Sequence, residues 1–371
     1  MTFCALNAVK GVNIIMEKSP EQLKIEQMRR EKLIREKPYV MEKIFKYKEK
    51  EARGECVPLV EIIYDHKCNM NCTHCSNACY EKKDRALTPN DVANIARQAD
   101  ELGLAQFSIS GGEPLLFDDL DEVVAAIDPK RFHISISTNG FFLDLAKAKH
   151  LKSIGVDKVK ISVDSIDEKI YAETRLQTES YSKAFQALFN AQEAGLQAVV
   201  QTVITHQNCK TKETEKLAQF CQENGFNMDI LVARAIGRWE GKEDVLVDES
   251  DAEHLVKLHE KYPVVHRDVF PTYNDCQGSC GTVKRLLFVT KYGDVLPCGF
   301  IHIGIGNIFE ESLKDIIERG IHIKHFAQKN PKCLSGEDRH FIRNYMSKFY
   351  GKPLPVDYRE VFTKEDFIKE E

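Results

Sequence analysis

Between residues 57 and 233 the chain repeats a strand-like segment followed by a helix-like one, and this rhythm limits its fold more than any other feature. Strands are expected at 57–64, 105–110, 133–137, 157–163, 197–204 and 226–233, with helices at 89–102, 118–127, 144–154, 181–195 and 211–224. Alternation with short connections implies right-handed βαβ crossovers and a parallel sheet. Six units suit a partial (βα)6 TIM-like barrel of the α/β class, although the pattern alone also fits a flat doubly wound sheet. Residues 1–56 read as a helical N-terminal extension, 57–238 as the core barrel, and 239–275 as a linker with one helix. Residues 276–333 form a second region with a hairpin around Tyr292-Gly293, and 334–371 a charged, aromatic tail without an assigned fold.

Composition matters here mainly through cysteine. A large chain with twelve cysteines and no secretion signal points to metal binding or catalysis rather than to disulfides. The apolar stretch 8–15 is broken by Lys10, and no run approaches the roughly 18 apolar residues of a membrane span, so a cytoplasmic location is expected. The net charge of −5 argues against nucleic acid as a partner. Lys and Arg near the N-terminus are interleaved with Glu17, Glu21, Glu26, Glu31 and Glu36, the pattern of a solvated helix face.

Cys68, Cys72 and Cys75 are spaced C-x3-C-x2-C just beyond the first strand. Iron–sulfur clusters of the [4Fe–4S] type normally take four thiolates, so three on one loop would leave one iron open to another ligand. Zinc is the competing reading, with His66, His74 or Cys79 as a fourth ligand. Placement favours the cluster, because active-site residues of parallel barrels gather at the C-terminal ends of the strands. The second strand ends in Ser110-Gly111-Gly112-Glu113-Pro114, the third in Ser137-Thr138-Asn139-Gly140 and the fourth in Ser162-Val163-Asp164-Ser165. Glycines there would let backbone approach a ligand closely.

The cysteine loop, the Gly111–Pro114 motif and the βα order together resemble the radical SAM superfamily, over roughly residues 57–238. The resemblance implies a [4Fe–4S] cluster whose open iron is chelated by S-adenosylmethionine. Its reductive cleavage would yield a 5′-deoxyadenosyl radical that abstracts a substrate hydrogen atom. A low-potential donor such as flavodoxin or ferredoxin would supply the electron. By position, Gly111, Gly112, Glu113 and Pro114 would bind the methionine amino end, Ser162 and Asp164 the ribose, and His74 would lie near adenine. Arg175, read as a helix-start residue, would approach the methionine carboxylate, and Arg234 is a second candidate for that role.

Cys276, Cys280, Cys298 and Cys333 lie beyond the barrel, and the stretch around Gly293–Cys298 resembles the start of a SPASM or Twitch auxiliary-cluster domain. With Cys333 as the last cysteine, the shorter Twitch type with one auxiliary cluster matches better. Four thiolates suffice for a closed [4Fe–4S] or [2Fe–2S] cluster, with structural zinc as the alternative. Cys4, Cys56, Cys209 and Cys221 read as small buried hydrophobes. The resemblance implies a radical oxidoreductase or modifying enzyme acting by oxidation, crosslinking or epimerisation. Its substrate would be a ribosomal peptide or a small natural-product intermediate, or alternatively an aminosugar or alcohol. A zinc-binding scaffold is the non-enzymatic alternative. An all-helical N-terminus would lack the strands of a winged-helix leader-binding module.

Overall fold

The computed structural model describes residues 5–8, 12–15, 20–77, 80, 82–177, 179–267, 269–270 and 278–369. The N-terminal segment departs from the all-helical expectation. Strands β1 (Ala5–Ala8) and β2 (Val12–Ile15) pair antiparallel before helices α1 (Pro20–Glu36) and α2 (Pro38–Ala52). Val12, Ile14 and Ile15 are β-branched, which favours extended backbone over helix. Pro38 separates the two helices: its φ suits a first helical turn, while its missing N–H and the clash of its ring with a preceding carbonyl keep it out of a helix interior. Lys37, at that junction, ties the extension to the core through Asp157 at 2.5 Å and the Phe132 carbonyl at 2.9 Å.

Six parallel strands follow: β3 (Leu59–Asp65), β4 (Gln106–Gly111), β5 (His133–Thr138), β6 (Lys158–Ser162), β7 (Gln197–Ile204) and β8 (Asn227–Val232). Between them run α3 (Pro89–Glu101), α4 (Leu120–Ile127), α5 (Leu145–Ser153), α6 (Glu168–Arg175), α7 (Ser180–Glu193) and α8 (Lys212–Glu223). Sequence dictates these helices locally. Thr88 and Asp91 form a capping box on α3, Pro89 fills its first position, and Val92, Ile95, Ala96 and Ala99 bury one face. Fully burying a side chain such as Ile95 contributes roughly 1.5–3 kcal/mol.

The period-two alternation of the strands sorts the sheet into two faces. Val60, Ile62, Phe107, Ile109, Ile134, Ile136, Val159 and Ile161 are buried against the helices. The opposite, concave side carries Glu61, Ser108, Ser135 and Lys158 in one register row. Ser162, Gln201 and Asp229 form another. Thus much of the interior face of the partial barrel is polar, beside an apolar patch of Ile63, Phe288 and Leu296, a feature that a reading of strand positions alone does not reveal.

Helix α9 (Glu249–Lys261) and strand β9 (Val265–His266) follow the barrel, with β9 parallel to β8. The predicted C-terminal hairpin forms from β10 (Leu286–Val289) and β11 (Asp294–Leu296). It joins the barrel sheet: β10 pairs parallel with β3, in register from Leu286–Leu59 to Val289–Ile62. Beyond β12 (Ile303–Gly304), strand β13 (Gly306–Asn307) closes that edge against β11, giving ten strands. Helices α10 (Leu313–His322), α11 (Lys324–Ala327) and α12 (Arg339–Asn344) lead to β14 (Val356–Asp357), which pairs with β12. Among the described residues no helix is long and apolar enough to cross a membrane.

Candidate functional site

Strand β3 delivers Cys68, Cys72 and Cys75 to the C-terminal rim of the barrel, Cys68 exposed and the other two half-buried. Backbone from three neighbouring elements pins this loop. The Gly112 and Glu113 amides donate to the Asp65 and Lys67 carbonyls, each at 2.8 Å. Thr73 N–H donates to Thr174 O at 3.0 Å, and Arg238 N–H to Cys75 O at 3.1 Å. The Arg238 guanidinium also donates to Asn71 O at 2.6 Å and Cys72 O at 3.2 Å.

The glycines of the second strand end have a specific task. A Cβ on Gly111 would lie 2.1 Å from Asp65 O, and one on Gly112 would lie 2.1 Å from Lys67 O. They are therefore required by the approach of the rim to the cysteine loop itself, before any ligand is considered. Glu113 is completely buried, and its carboxyl accepts from Thr138 Oγ1 (2.6 Å), Asn139 N (2.7 Å) and Leu115 N (3.1 Å). Burial pushes it up to about 7 despite these donors. Asn139 in turn donates from Nδ2 to Asn69 Oδ1 at 2.8 Å, linking the third strand end to the cysteine loop.

Arg175 is the last residue of α6 rather than a helix-start residue, and it is 7% exposed. Its Nε lies 2.7 Å from Asp164 Oδ2, and its Nη1 donates to Cys72 Sγ at 3.8 Å. Burial opposes the Arg175 charge, but Asp164 and Cys72 outweigh it and hold the guanidinium above its ordinary value. Burial would raise Asp164; Arg175 and His74 keep it below the usual carboxylate range, and Val203 N–H donates to it at 3.0 Å. Burial lowers His74 to about 4, so its imidazole is neutral at neutral pH. The ring lies 5.6 Å from that of Trp239. Ser162 is half-buried at the end of β6.

The loop's donor set fits an iron–sulfur cluster. Met70 N–H donates to Cys68 Sγ at 3.4 Å, and Arg175 reaches Cys72, the kind of donor that stabilises a thiolate. In the second set, Cys298 and Cys333 are buried and Cys280 is half-buried. The hydrogen bond between Cys280 and Cys333, together with burial and the nearby Cys298, pushes the Cys280 thiol well up. Three converging sulfurs of this kind suit a cluster as well. Cys276 lies outside the described residues, as do Cys4 and Cys79.

The structure places Arg234 with the second cysteine set. Its guanidinium donates to Cys333 Sγ at 3.7 Å and Ser335 Oγ at 3.5 Å. Its place two residues beyond β8 points either way in sequence, and only the packing of the C-terminal region decides. Sequence reading also misses Arg238, Asn69 and Trp239. The Gly237-Arg238 pair offers the one signal for Arg238, since a Cβ on Gly237 would meet Cys75 O at 2.2 Å.

A family model described as the Radical SAM superfamily matches residues 62–221, and a model of the SPASM iron–sulfur cluster-binding domain matches residues 280–335. A probable GTP 3′,8-cyclase of Methanosarcina acetivorans is 26% identical, covering 72% of this chain and 84% of the relative. The same activity is named for a Methanocella arvoryzae protein, 29% identical over 49% of this chain and 58% of its own length. Streptococcus suis SuiB bound to S-adenosylmethionine superposes with a TM-score of 0.58 at 20% identity, covering 81% of this chain and 72% of that one.

Proposed function

From a chain that carries a radical SAM domain followed by a SPASM iron–sulfur cluster-binding domain, we infer an enzyme that abstracts a hydrogen atom from a substrate held in the polar barrel interior. Cys68, Cys72 and Cys75 hold the first cluster, and Cys276, Cys280, Cys298 and Cys333 the auxiliary one. When bound, cluster and S-adenosylmethionine supply a 5′-deoxyadenosyl radical. The observation that carries this reading is the cysteine loop clamped between the Gly112–Glu113 amides and Arg175.

The chain's own residues divide the remaining work. Gly111–Pro114 present main-chain polar groups for the methionine amino end, with Glu113 holding that turn to Thr138 and Asn139. Ser162 and Asp164 offer oxygens to the ribose hydroxyls, and the neutral His74 ring, beside Trp239, offers a flat surface to adenine. Arg175 brings a positive charge to the carboxylate side while remaining paired with Asp164. Substrate lies against Lys160, Gln201 and Asp229, on the concave face of β6–β8.

A ribosomal peptide or a small natural-product intermediate is the substrate favoured by the two-cluster plan, in line with SuiB, which has been crystallised with its precursor peptide SuiA. GTP is the second reading, supported by the named activity of the relatives and by Lys158 and Lys160 on the concave face. Anaerobic reconstitution should give a brown protein with about eight irons per chain if both clusters are [4Fe–4S]. Dithionite and S-adenosylmethionine should then release 5′-deoxyadenosine. Deuterium transfer into it from labelled GTP, against transfer from a labelled peptide, separates the two readings. A colourless zinc protein that leaves the cofactor intact refutes both.

A further inference from the structure

Arg234 carries chemistry that the hydrogen-abstraction scheme does not use. It stands just beyond β8, at the barrel rim, yet its guanidinium is buried and directed into the C-terminal region. Nη2 donates to Cys333 Sγ at 3.7 Å, Nε to Ser335 Oγ at 3.5 Å, and Cζ lies 3.9 Å from the Phe300 ring centroid. Cys333 is held from a second side as well. Its N–H donates to Glu337 Oε2 at 2.8 Å, and the buried Arg267 pairs with the same oxygen at 2.5 Å. Taking a guanidinium out of water is costly unless it gains charge or hydrogen-bond partners. A thiolate bound to iron would add both to the contacts Arg234 already has, where a neutral thiol adds only a weak acceptor.

We propose that Arg234 is a positioning residue for the auxiliary cluster, and that its charge and its hydrogen bond to the Cys333 sulfur raise that cluster's reduction potential. Cluster potentials respond to net charge, to hydrogen bonds on the sulfurs and to solvent exposure, and groups outside the ligand set tune metal sites generally. Arg234 provides the first two, and the Phe300 ring restricts the third. A raised potential makes the auxiliary cluster the better acceptor for one electron. When bound, such a cluster would supply a one-electron acceptor for the oxidation of a substrate radical to a closed-shell product, with the proton leaving to solvent or a nearby base. The inference rests on the assignment of Cys333 as a cluster ligand, and through it on the two-cluster reading.

The test is an EPR-monitored redox titration of the anaerobically reconstituted full chain, with the auxiliary signal isolated in a Cys68→Ala/Cys72→Ala/Cys75→Ala background. Neither substrate nor cofactor cleavage enters the measurement. With iron content unchanged, Arg234→Gln should lower the midpoint potential, and Arg234→Lys, which keeps the charge but not the planar fork, should fall between the two. An unshifted potential in a fully loaded Arg234→Gln chain overturns the proposal. Should Arg234→Gln lose its iron, Arg234→Lys decides. Full loading at the native potential, or loss of the auxiliary iron there too, makes Arg234 a structural anchor and overturns tuning. Retention of all auxiliary iron in Cys333→Ala would instead overturn the ligand assignment beneath it.

Discussion

The two cysteine sets are built to opposite plans. Cys68, Cys72 and Cys75 sit on one short loop at an open rim, with Cys68 exposed and the loop held by main-chain hydrogen bonds and by the Arg238 and Asn139 side chains. Cys280, Cys298 and Cys333 come from three separated stretches, and two of them are buried. An open triplet leaves room for an exchangeable ligand, whereas a buried set contributed by distant residues favours a closed, permanent centre. Position repeats the contrast: Cys68, Cys72 and Cys75 follow the end of β3, whereas Cys280, Cys298 and Cys333 belong to the C-terminal region.

The largest test of this contrast is Cys72→Ala. It should abolish 5′-deoxyadenosine formation and remove about half the iron, read by chromatography and by iron assay. Cys298→Ala should also remove about half the iron, yet leave cofactor cleavage in place while product formation fails. If both variants lost cleavage equally, the division of labour between the sets would be wrong. Glu113 gives a third test. Its folded value, about 7, lies above the ordinary 4.5, so the folded chain binds this proton more tightly than the unfolded one. Its contribution is complete below about pH 4.5 and is lost as pH rises through about 7. Relative to Glu113→Gln, the native chain should therefore lose roughly 3 kcal/mol across that window, measured by denaturant titration at several pH values.

Gly112→Ala puts a Cβ against Lys67 O, at 2.1 Å before relaxation. Overpacking of that kind costs about 1–3 kcal/mol, and the iron lost should come from the rim cluster alone, leaving the auxiliary EPR signal intact. Arg238→Ala should have the smallest effect. It removes the exposed guanidinium, whose Nη1 donates to the Asn71 and Cys72 carbonyls and whose Nη2 donates to Asn71 Oδ1, for about 1 kcal/mol, and should show as faster release of the rim cluster's iron to a chelator.

The barrel was legible because its signal is repetitive. Each barrel strand pairs with its neighbour in sequence, so the boundaries at Gln197–Ile204 needed little tertiary information. The cysteine loop was legible because its ligands lie within eight residues of one another. What escaped depends on long-range packing. Arg175 was picked out through the family resemblance, but its pairing with Asp164 and its reach to Cys72 were not legible. Arg234 could serve either centre until Cys333 arrives from 99 residues further on. The close packing of Gly111 and Gly112 against the Asp65 and Lys67 carbonyls was likewise hidden in the sequence. The β1–β2 pair was hidden by the Lys- and Glu-rich helices after it.

Strand β3 carries the cysteine loop at its end and the C-terminal hairpin along its flank, through the pairing with β10. A single backbone beam thereby acts as a common ruler for both metal-binding regions. Inserting one residue into it would invert its pleat and shift both neighbours' registers at once. The C-terminal module cannot be exchanged at a linker like a bead on a string. Any replacement would have to bring an edge strand that docks on Leu59–Ile62 in the same register.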